Sequence, residues 1–244
     1  MSDLKANVID AVDSVTRSQS QSIIDEVKSK GSLGFKEVAI RLGDLPNVDA
    51  PYLMSKEQLK EGFLSLPKDQ QELLERVAYR VRTFALAQLK SISEVEVKIP
   101  GGVAGHYIAP VEVAACYAPG GRYPLPSSVL MTSITARAAG VRNVIVASPR
   151  PAPITIGAAY VAGADALVTV GGAQAIAAFA YGTVEGIPKA DVIVGPGNKW
   201  VTAAKAIVNG ICNIDMLAGP SECLVLADDS ADPKVLCSAV KLIK

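Results

Sequence analysis

The feature that most constrains the fold is a unit repeated along the second half of the chain: a short apolar strand, a turn rich in glycine or proline, and a helix. Four predicted strands consist mostly of Val, Ile and Ala, at residues 113–117, 143–147, 166–170 and 191–194. Predicted helices follow them at residues 127–139, 154–162, 173–180 and 199–208. Strands that are apolar on both faces and alternate with helices are typical of a parallel sheet covered by helices. The sequence therefore predicts an α/β fold with a Rossmann-like parallel sheet.

The first hundred residues have a different character, since charged residues are frequent and apolar residues recur at helical spacing. Residues 68–90 predict a long amphipathic helix with one apolar stripe, formed by Leu73, Val77 and Val81 and widened by Leu74, Phe84 and Leu89. Residues 94–99 alternate between charged and apolar side chains, which predicts a half-buried strand.

These differences predict three parts. Residues 1–110 contribute helices and a strand to a first α/β domain, which is incomplete within this chain. Residues 111–220 form the Rossmann-like sheet domain. Residues 221–244 return to the first domain, with a strand at residues 223–227.

Composition excludes several classes of function. The chain has 24 basic and 24 acidic side chains, a balance that argues against binding to nucleic acid or to a membrane surface through bulk charge. No apolar run is long enough to span a membrane, and the first residues lack a secretion signal, so we expect a cytoplasmic protein. His106 is the single histidine, which excludes a zinc site with two histidines. Four cysteines without a C-x-x-C pair are expected as buried free thiols.

Glycine-rich turns follow three of the predicted strands, at residues 117–122, 171–174 and 195–199. In an open parallel sheet, ligands bind at the carboxyl ends of the strands, and the N-terminus of a helix there offers N–H groups to a phosphate. Gln174 and Asn198 stand at the first turns of two helices, where an amide side chain can donate and accept hydrogen bonds. Each turn alone is typical of a helix cap, but three turns at one edge favour a shared ligand.

Other candidate residues have plainer interpretations. Arg122 and Arg137 could meet a phosphate, although solvated positions are favoured. Trp200 is expected to pack against a helix rather than stack on a base, and His106 is expected to have a structural or surface role. An acidic turn before a helix is favoured over a cation site for Asp228, Asp229 and Asp232. The Rossmann G-x-G-x-x-G, P-loop and G-x-S-x-G motifs are absent from the sequence.

Four motifs, in order and at similar spacing, resemble the histidinol dehydrogenase family: Tyr117-Ala-Pro-Gly-Gly, Gly171-Gly-Ala-Gln-Ala-Ile-Ala, Gly195-Pro-Gly-Asn and Asp215-Met-Leu-Ala-Gly-Pro-Ser-Glu. The resemblance implies a zinc-dependent homodimer that oxidises L-histidinol to L-histidine in two NAD-dependent hydride transfers, the last steps of histidine biosynthesis. It also implies that Tyr117, Gln174 and Asn198 contact NAD and that Ser221 contacts the substrate.

The resemblance covers roughly the first half of such an enzyme. Residues 239–244 depart from the family pattern, and Ile243 stands about where a glutamine zinc ligand is expected. The remaining zinc ligands and the Glu-His acid/base pair of the family correspond to positions beyond Lys244. We therefore expect no catalytic residue and no metal ligand in these 244 residues, and little turnover by this polypeptide alone. We also expect aggregation or dependence on a partner chain.

Two alternatives stay open at this point. A non-catalytic nucleotide-binding or interaction module could use the same scaffold, because a fold does not fix a function. A phosphate-sugar-binding α/β enzyme of another kind is the second.

Overall fold

A computed structural model describes residues 12–120, 123–217, 225–228, 230–235 and 237. Residues Val12–Leu217 belong to one compact unit, and the described residues from 225 onward belong to a second unit. In the described part of the second unit, the carboxylates of Asp228 and Asp232 accept hydrogen bonds from the main chain two residues later, as in an acidic turn.

Eight strands occur in the described residues: β1 Leu53–Ser55, β2 Val95–Ile99, β3 Gly102–His106, β4 Val113–Tyr117, β5 Asn143–Ala147, β6 Ala166–Val168, β7 Val192–Val194 and β8 Asn213–Ile214. Six of them form one sheet in the order β1-β6-β5-β4-β7-β8. All neighbours in it are parallel except β1, which pairs antiparallel with β6. In the central register Cys116 of β4 lies opposite Val146 of β5 and Val194 of β7. The predicted parallel sheet is confirmed.

Eight helices occur in the described part of Val12–Leu217: α1 Ser14–Lys30, α2 Ser32–Arg41, α3 Lys56–Leu64, α4 Lys68–Leu89, α5 Pro126–Ala138, α6 Pro153–Val161, α7 Gly172–Tyr181 and α8 Lys199–Val208. Helices α1, α2, α7 and α8 share one apolar core with one face of the sheet, and α3 to α6 share another with the opposite face. Alternate residues of β4 enter the two cores, because side chains of a strand point to opposite faces. Every residue of β4 is therefore buried.

Three predicted elements, β4, β5 and α8, have the bounds expected from sequence, and others shift by one or two residues. Strands β1, β3 and β8 were not predicted. Strands β1 and β8 have only three and two residues, which carry little periodic signal, and β3 contains two glycines among its five residues and does not alternate between apolar and polar side chains. Residues 223–224 of the predicted last strand lie outside the described residues, and residues 225–227 have no regular secondary structure.

Two expectations about burial in the N-terminal part are corrected. In α4 the expected stripe is confirmed in part: Leu74 is buried, and Val77 and Val81 are partly buried against the core shared with α5 and α6, whereas Leu73 and Phe84 are 45% and 66% exposed. The packing of α5 and α6 covers only one side of α4, and Leu73 and Phe84 lie outside it. Strand β2 pairs only with β3, and both strands of this hairpin are exposed along their whole length rather than half-buried.

The N-terminal helices of Val12–Leu217 pack directly on the sheet that residues 113–214 build, and β1 extends that sheet. The three-part division at residues 110 and 220 stays a prediction. Within the described residues, no helix has the length and apolarity needed to cross a membrane.

Candidate functional site

The candidate site is the edge of the sheet at which the parallel strands β4, β5, β6 and β7 end. Because these strands run in the same direction, the turns that follow them meet at this one edge, which we call the carboxyl edge. The turns begin at Ala118, Ser148, Thr169 and Gly195. The predicted convergence of the glycine turns therefore follows from the observed topology.

Glycines at the carboxyl edge allow the turns to pack main chain against main chain. A Cβ atom at Gly171 would come within 2.6 Å of the Pro149 ring, and one at Gly120 would overlap the Pro149 carbonyl oxygen. At Gly195 a Cβ would overlap the Tyr117 carbonyl oxygen, and the φ angle of +114° is one that other residues rarely adopt. The turns can therefore approach one another only because side chains are absent there.

Tyr117 joins two of these turns. Its hydroxyl oxygen accepts a hydrogen bond of 3.2 Å from the N–H of Gly172, where α7 begins, and its carbonyl oxygen lies against Gly195. The side chain is only 4% exposed. Burial raises the pKa of this phenol, and the hydrogen bond from Gly172 offsets part of the rise. Tyr117 is therefore an uncharged side chain that links the two turns, and we call it the strut between them.

Gln174 lies in the first turn of α7 and is 1% exposed. Its Nε2 donates to Oδ2 of Asp44 at 3.2 Å, and the same oxygen accepts from the N–H of Gly171 at 3.0 Å. Asp44 therefore covers part of the N-terminus of α7 with a carboxylate of the chain itself. Oε1 of Gln174 is buried and has no hydrogen-bond partner, and neither has Oγ of Ser148 at the end of β5.

Asn198 is the N-cap of α8. Its Oδ1 accepts hydrogen bonds of 3.1 Å from the N–H groups of Trp200 and Val201, which leaves its amide nitrogen outside the cap. The residue is exposed. The indole N–H of Trp200 donates to Oε1 of Gln19 on α1 at 2.9 Å, so Trp200 anchors this end of α8.

An ion pair lies beneath the turn that carries Asn198. Nζ of Lys205 donates to Oδ1 of Asp215 and, at 3.0 Å, to the carbonyl oxygen of Gly195. Oδ2 of Asp215 accepts from the N–H of Gly195 at 2.7 Å. One ion pair therefore binds both main-chain groups of the same glycine.

The structure brings Tyr117, Gln174 and Asn198 to the carboxyl edge, each bonded to main-chain or side-chain groups of the chain. Ser221, Arg122 and Asp229 lie outside the described residues. Arg137 is at the opposite edge, where it pairs with Asp165.

Two further candidates, Trp200 and His106, have partners within the chain. The indole of Trp200 is bonded to Gln19, as described above, and Nε2 of His106, in the exposed hairpin, lies 3.1 Å from the Ser93 carbonyl oxygen.

Four residues of this edge were not found from sequence as site residues: Asp44, Ser148, Lys205 and Asp215. Asp44 and Gln174 are 130 positions apart, so no local pattern connects them. Asp215 stands at the start of one of the four family motifs, which was the available signal. Lys205 lacked any signal, because a lysine in a helix is ordinarily solvated.

The zinc that the resemblance implies does not fit the described residues, which contain no group of three or more His, Cys, Asp or Glu side chains placed to hold a metal. Two free thiols, Cys116 and Cys212, are buried as expected, and burial raises the pKa of each to about 11. They are protonated near neutral pH and are therefore poor ligands. Cys237, expected to be buried, is exposed, and Cys223 lies outside the described residues.

The sheet, its two helical layers and the converging turns define a Rossmann-like α/β protein. A sequence profile described as histidinol dehydrogenase matches residues 9–241. The histidinol dehydrogenase of Halobacterium salinarum is 45% identical over 226 residues, which is 91% of this chain and 52% of that protein. That of Methanosarcina barkeri is 42% identical over 225 residues, 90% of this chain and 51% of that protein.

A solved structure agrees with these sequence matches. The crystal structure of histidinol dehydrogenase from Elizabethkingia anophelis aligns with a TM-score of 0.78 at 28% identity, covering 93% of this chain and 53% of that one. The chain therefore belongs to the histidinol dehydrogenase family, as the four motifs predicted. It spans about half the length of the curated relatives it matches.

Proposed function

We propose that this chain supplies the dinucleotide-binding part of a histidinol dehydrogenase, which oxidises L-histidinol to L-histidine with NAD. The observation that carries the proposal is the meeting of three glycine turns around Tyr117, in a chain of this family. The buried oxygens of Gln174 and Ser148 support it, because unused hydrogen-bonding groups at this edge fit a polar ligand.

The residues would divide the work of binding. The turn from Gly195 to Asn198 brings main-chain N–H groups and the N-terminus of α8 close to a pyrophosphate. The free amide nitrogen of Asn198 can donate to the dinucleotide, and Oε1 of Gln174 can accept from it once the edge opens toward the ligand. Bound NAD would supply the hydride acceptor.

Chemistry needs more than the described residues provide. Oxidation of an alcohol requires a base that takes the hydroxyl proton, and the described part of the carboxyl edge offers only buried or main-chain-bonded carboxylates, Asp44 and Asp215. No step through zinc is derived for these residues. We propose that the base and the zinc ligands belong to the part of the enzyme that corresponds to the other half of the relatives, and that the full-length enzyme is a cytoplasmic homodimer.

The test is a calorimetric titration of the chain with NAD, comparing Asn198→Ser with the unchanged chain. Serine keeps the N-cap oxygen but lacks the amide nitrogen, so we expect the free energy of unfolding to change by less than about 0.5 kcal/mol. We expect the dissociation constant of NAD to rise about three- to tenfold, the worth of one hydrogen bond. Asn209→Ser, at the other end of α8, is the control and should leave NAD binding unchanged.

A non-catalytic nucleotide-binding module is the second candidate, favoured by the lack of a metal cluster among the described residues. To separate the two candidates, the chain is mixed with the half of a relative that it does not match, and zinc is added. Oxidation of histidinol is then followed by the absorbance of NADH. Restored turnover supports the enzyme; NAD binding with no turnover in any mixture supports the module. If NAD does not bind, both candidates fail.

A further inference from the structure

The ion pair between Lys205 and Asp215 costs desolvation free energy, and the packing of the core does not require a charge there. The Lys205 side chain is 4% exposed, and its neighbours along α8, Val201, Ala204 and Val208, are fully buried and apolar. Removing an ammonium group from water is expensive, and an apolar residue at such a position often stabilises a fold equally well. The charge is therefore expected to serve something other than the core.

What the pair holds is the turn after β7. Lys205 donates to the carbonyl oxygen of Gly195, and Asp215 accepts from its N–H. Asp215 also accepts from the N–H of Met216 at 2.7 Å, which fixes the carboxylate itself. Gly195 has a φ angle of +114°, which other residues rarely adopt, and it lies against Tyr117. The hydrogen bonds to its C=O and N–H hold the two peptide groups in this conformation.

The turn leads directly to the ligand-facing residue. Pro196 and Gly197 separate Gly195 from Asn198, the N-cap of α8. The hydrogen bonds of Gly195 hold one end of the turn and the N-cap holds the other, so only two residues lie between them. A turn ordered before the ligand arrives loses less entropy on binding, and this raises affinity.

We propose that Lys205 and Asp215 are positioning residues that lock the turn from Gly195 to Asn198 in its binding conformation. The gain in affinity for a dinucleotide rests on the proposed function, whereas the locking of the turn does not. Because the two charges neutralise each other, the effect on binding comes from geometry and not from attraction of a phosphate.

The test compares Lys205→Met with Arg137→Met. Arg137 is a matched control at the opposite edge of the sheet, since it pairs with Asp165 and donates to the carbonyl oxygens of Gly163 and Val141. Two quantities are measured: the dissociation constant of NAD, and acrylamide quenching of Trp200. Trp200 is the one tryptophan of the chain, and its main-chain N–H donates to Oδ1 of Asn198.

We expect Lys205→Met to weaken NAD binding about tenfold or more, a typical effect of lost preorganisation, and to increase quenching of Trp200. Arg137→Met is expected to lower thermal stability while both quantities stay within about twofold of the unchanged chain. Equal effects of the two variants on NAD binding and on quenching would overturn the proposal.

A second variant keeps the proposal testable if Lys205→Met folds poorly. The double variant Lys205→Met with Asp215→Asn leaves no unpaired charge buried and keeps an oxygen for the Gly195 N–H, so it should fold, while it still lacks the donor to the Gly195 carbonyl oxygen. We expect intermediate shifts of both quantities, and unchanged quenching in this double variant would contradict the locking of the turn. If the unchanged chain does not bind NAD, the proposed function is wrong, and the quenching measurements alone decide whether the ion pair locks the turn.

Discussion

The two edges of the parallel sheet are closed in different ways. At the edge where the strands begin, carboxylates of the chain take up the main-chain N–H groups: Asp165 accepts from Val144 at 2.9 Å, and Asp191 accepts from Glu112 and Val113 at 3.0 and 2.9 Å. We call this the amino edge. A cavity of about 560 Å³ lies there, but the Asp191 carboxylate on its wall is already committed to the main chain.

At the carboxyl edge the turns are held by glycine contacts, by Tyr117 and by the Lys205–Asp215 pair. Two buried polar oxygens there, on Gln174 and Ser148, have no partner. A buried side-chain oxygen without a partner costs free energy unless a ligand or water meets it. Oγ1 of Thr183, between α7 and β7, is also buried without a partner. The comparison teaches that carboxylates of the chain occupy the main-chain donors of the amino edge, whereas the carboxyl edge keeps two acceptors beside its glycine turns.

The largest expected difference between the edges concerns glycine. Gly195→Ala combines a strained φ angle with overlap at the Tyr117 carbonyl oxygen, so we expect a loss of about 3 to 5 kcal/mol in the free energy of unfolding. Gly163→Ala, after α6 and beside the amino edge, has a φ angle of +79° but no atom closer than 3.8 Å to the new Cβ. It should cost only about 1 kcal/mol. Urea unfolding measures both, and equal costs would break the comparison.

Alkaline pH is expected to weaken the fold through Cys116, which lies in β4 one residue before Tyr117. Burial raises the pKa of this thiol from 9.0 to about 11. The unfolded chain therefore loses the proton first, and the stabilisation present below pH 9 is lost as pH rises toward about 11. Two pKa units correspond to about 2 to 3 kcal/mol.

Unfolding followed from pH 8 to about 11 tests this for both edges. Cys212, on the wall of the amino-edge cavity, has its pKa raised to about 11 by burial as well. Cys116→Ala and Cys212→Ala should each flatten the pH dependence of the free energy of unfolding. A slope that neither variant changes would show that the thiols do not contribute.

At the amino edge, Asp191→Ala removes the acceptor of two N–H groups, and we expect a loss of about 1 to 3 kcal/mol in stability. Asp191→Asn keeps an amide oxygen in the same place and should lose less. NAD affinity should be the same in both, because the change is at the other edge. A weaker NAD affinity in Asp191→Ala together with an unchanged affinity in Asp191→Asn would show that NAD binding depends on the amino edge, contrary to this expectation.

A small change in stability is expected for Tyr117→Phe, which removes the acceptor of the Gly172 N–H and should cost about 1 kcal/mol. NAD affinity should nevertheless fall, because the strut between the turns is lost. Measuring stability by urea and affinity by calorimetry on the same preparation separates the two effects. Unchanged affinity would assign Tyr117 a purely structural role.

Much of the fold could be predicted from sequence. The apolar composition of β4 and β5 indicated burial on both faces, and only a parallel sheet between two helical layers provides that. The meeting of the turns at one edge then followed from strand direction. These inferences succeed because strand composition and direction are local properties of the chain.

The detail of the site could not be predicted in the same way. The direction of the Gln174 side chain depends on Asp44, and the burial of Lys205 depends on Asp215, and neither partner is marked by a periodic pattern. Likewise α4 has apolar residues on more than one side, and the neighbours α5 and α6 decide which side is covered. Long-range contacts of this kind are set by packing, which a single sequence does not display.

The hairpin of β2 and β3 has water on both faces, and this has a consequence for local opening. A two-stranded ribbon without a covered face is marginally stable, so its strands are expected to separate while the rest of the chain stays folded. Its amide hydrogens should be replaced by deuterium within a short time after dilution into heavy water. Those of β4 are released only when the whole domain unfolds, so one mass spectrum taken early would show the two β structures as separate populations.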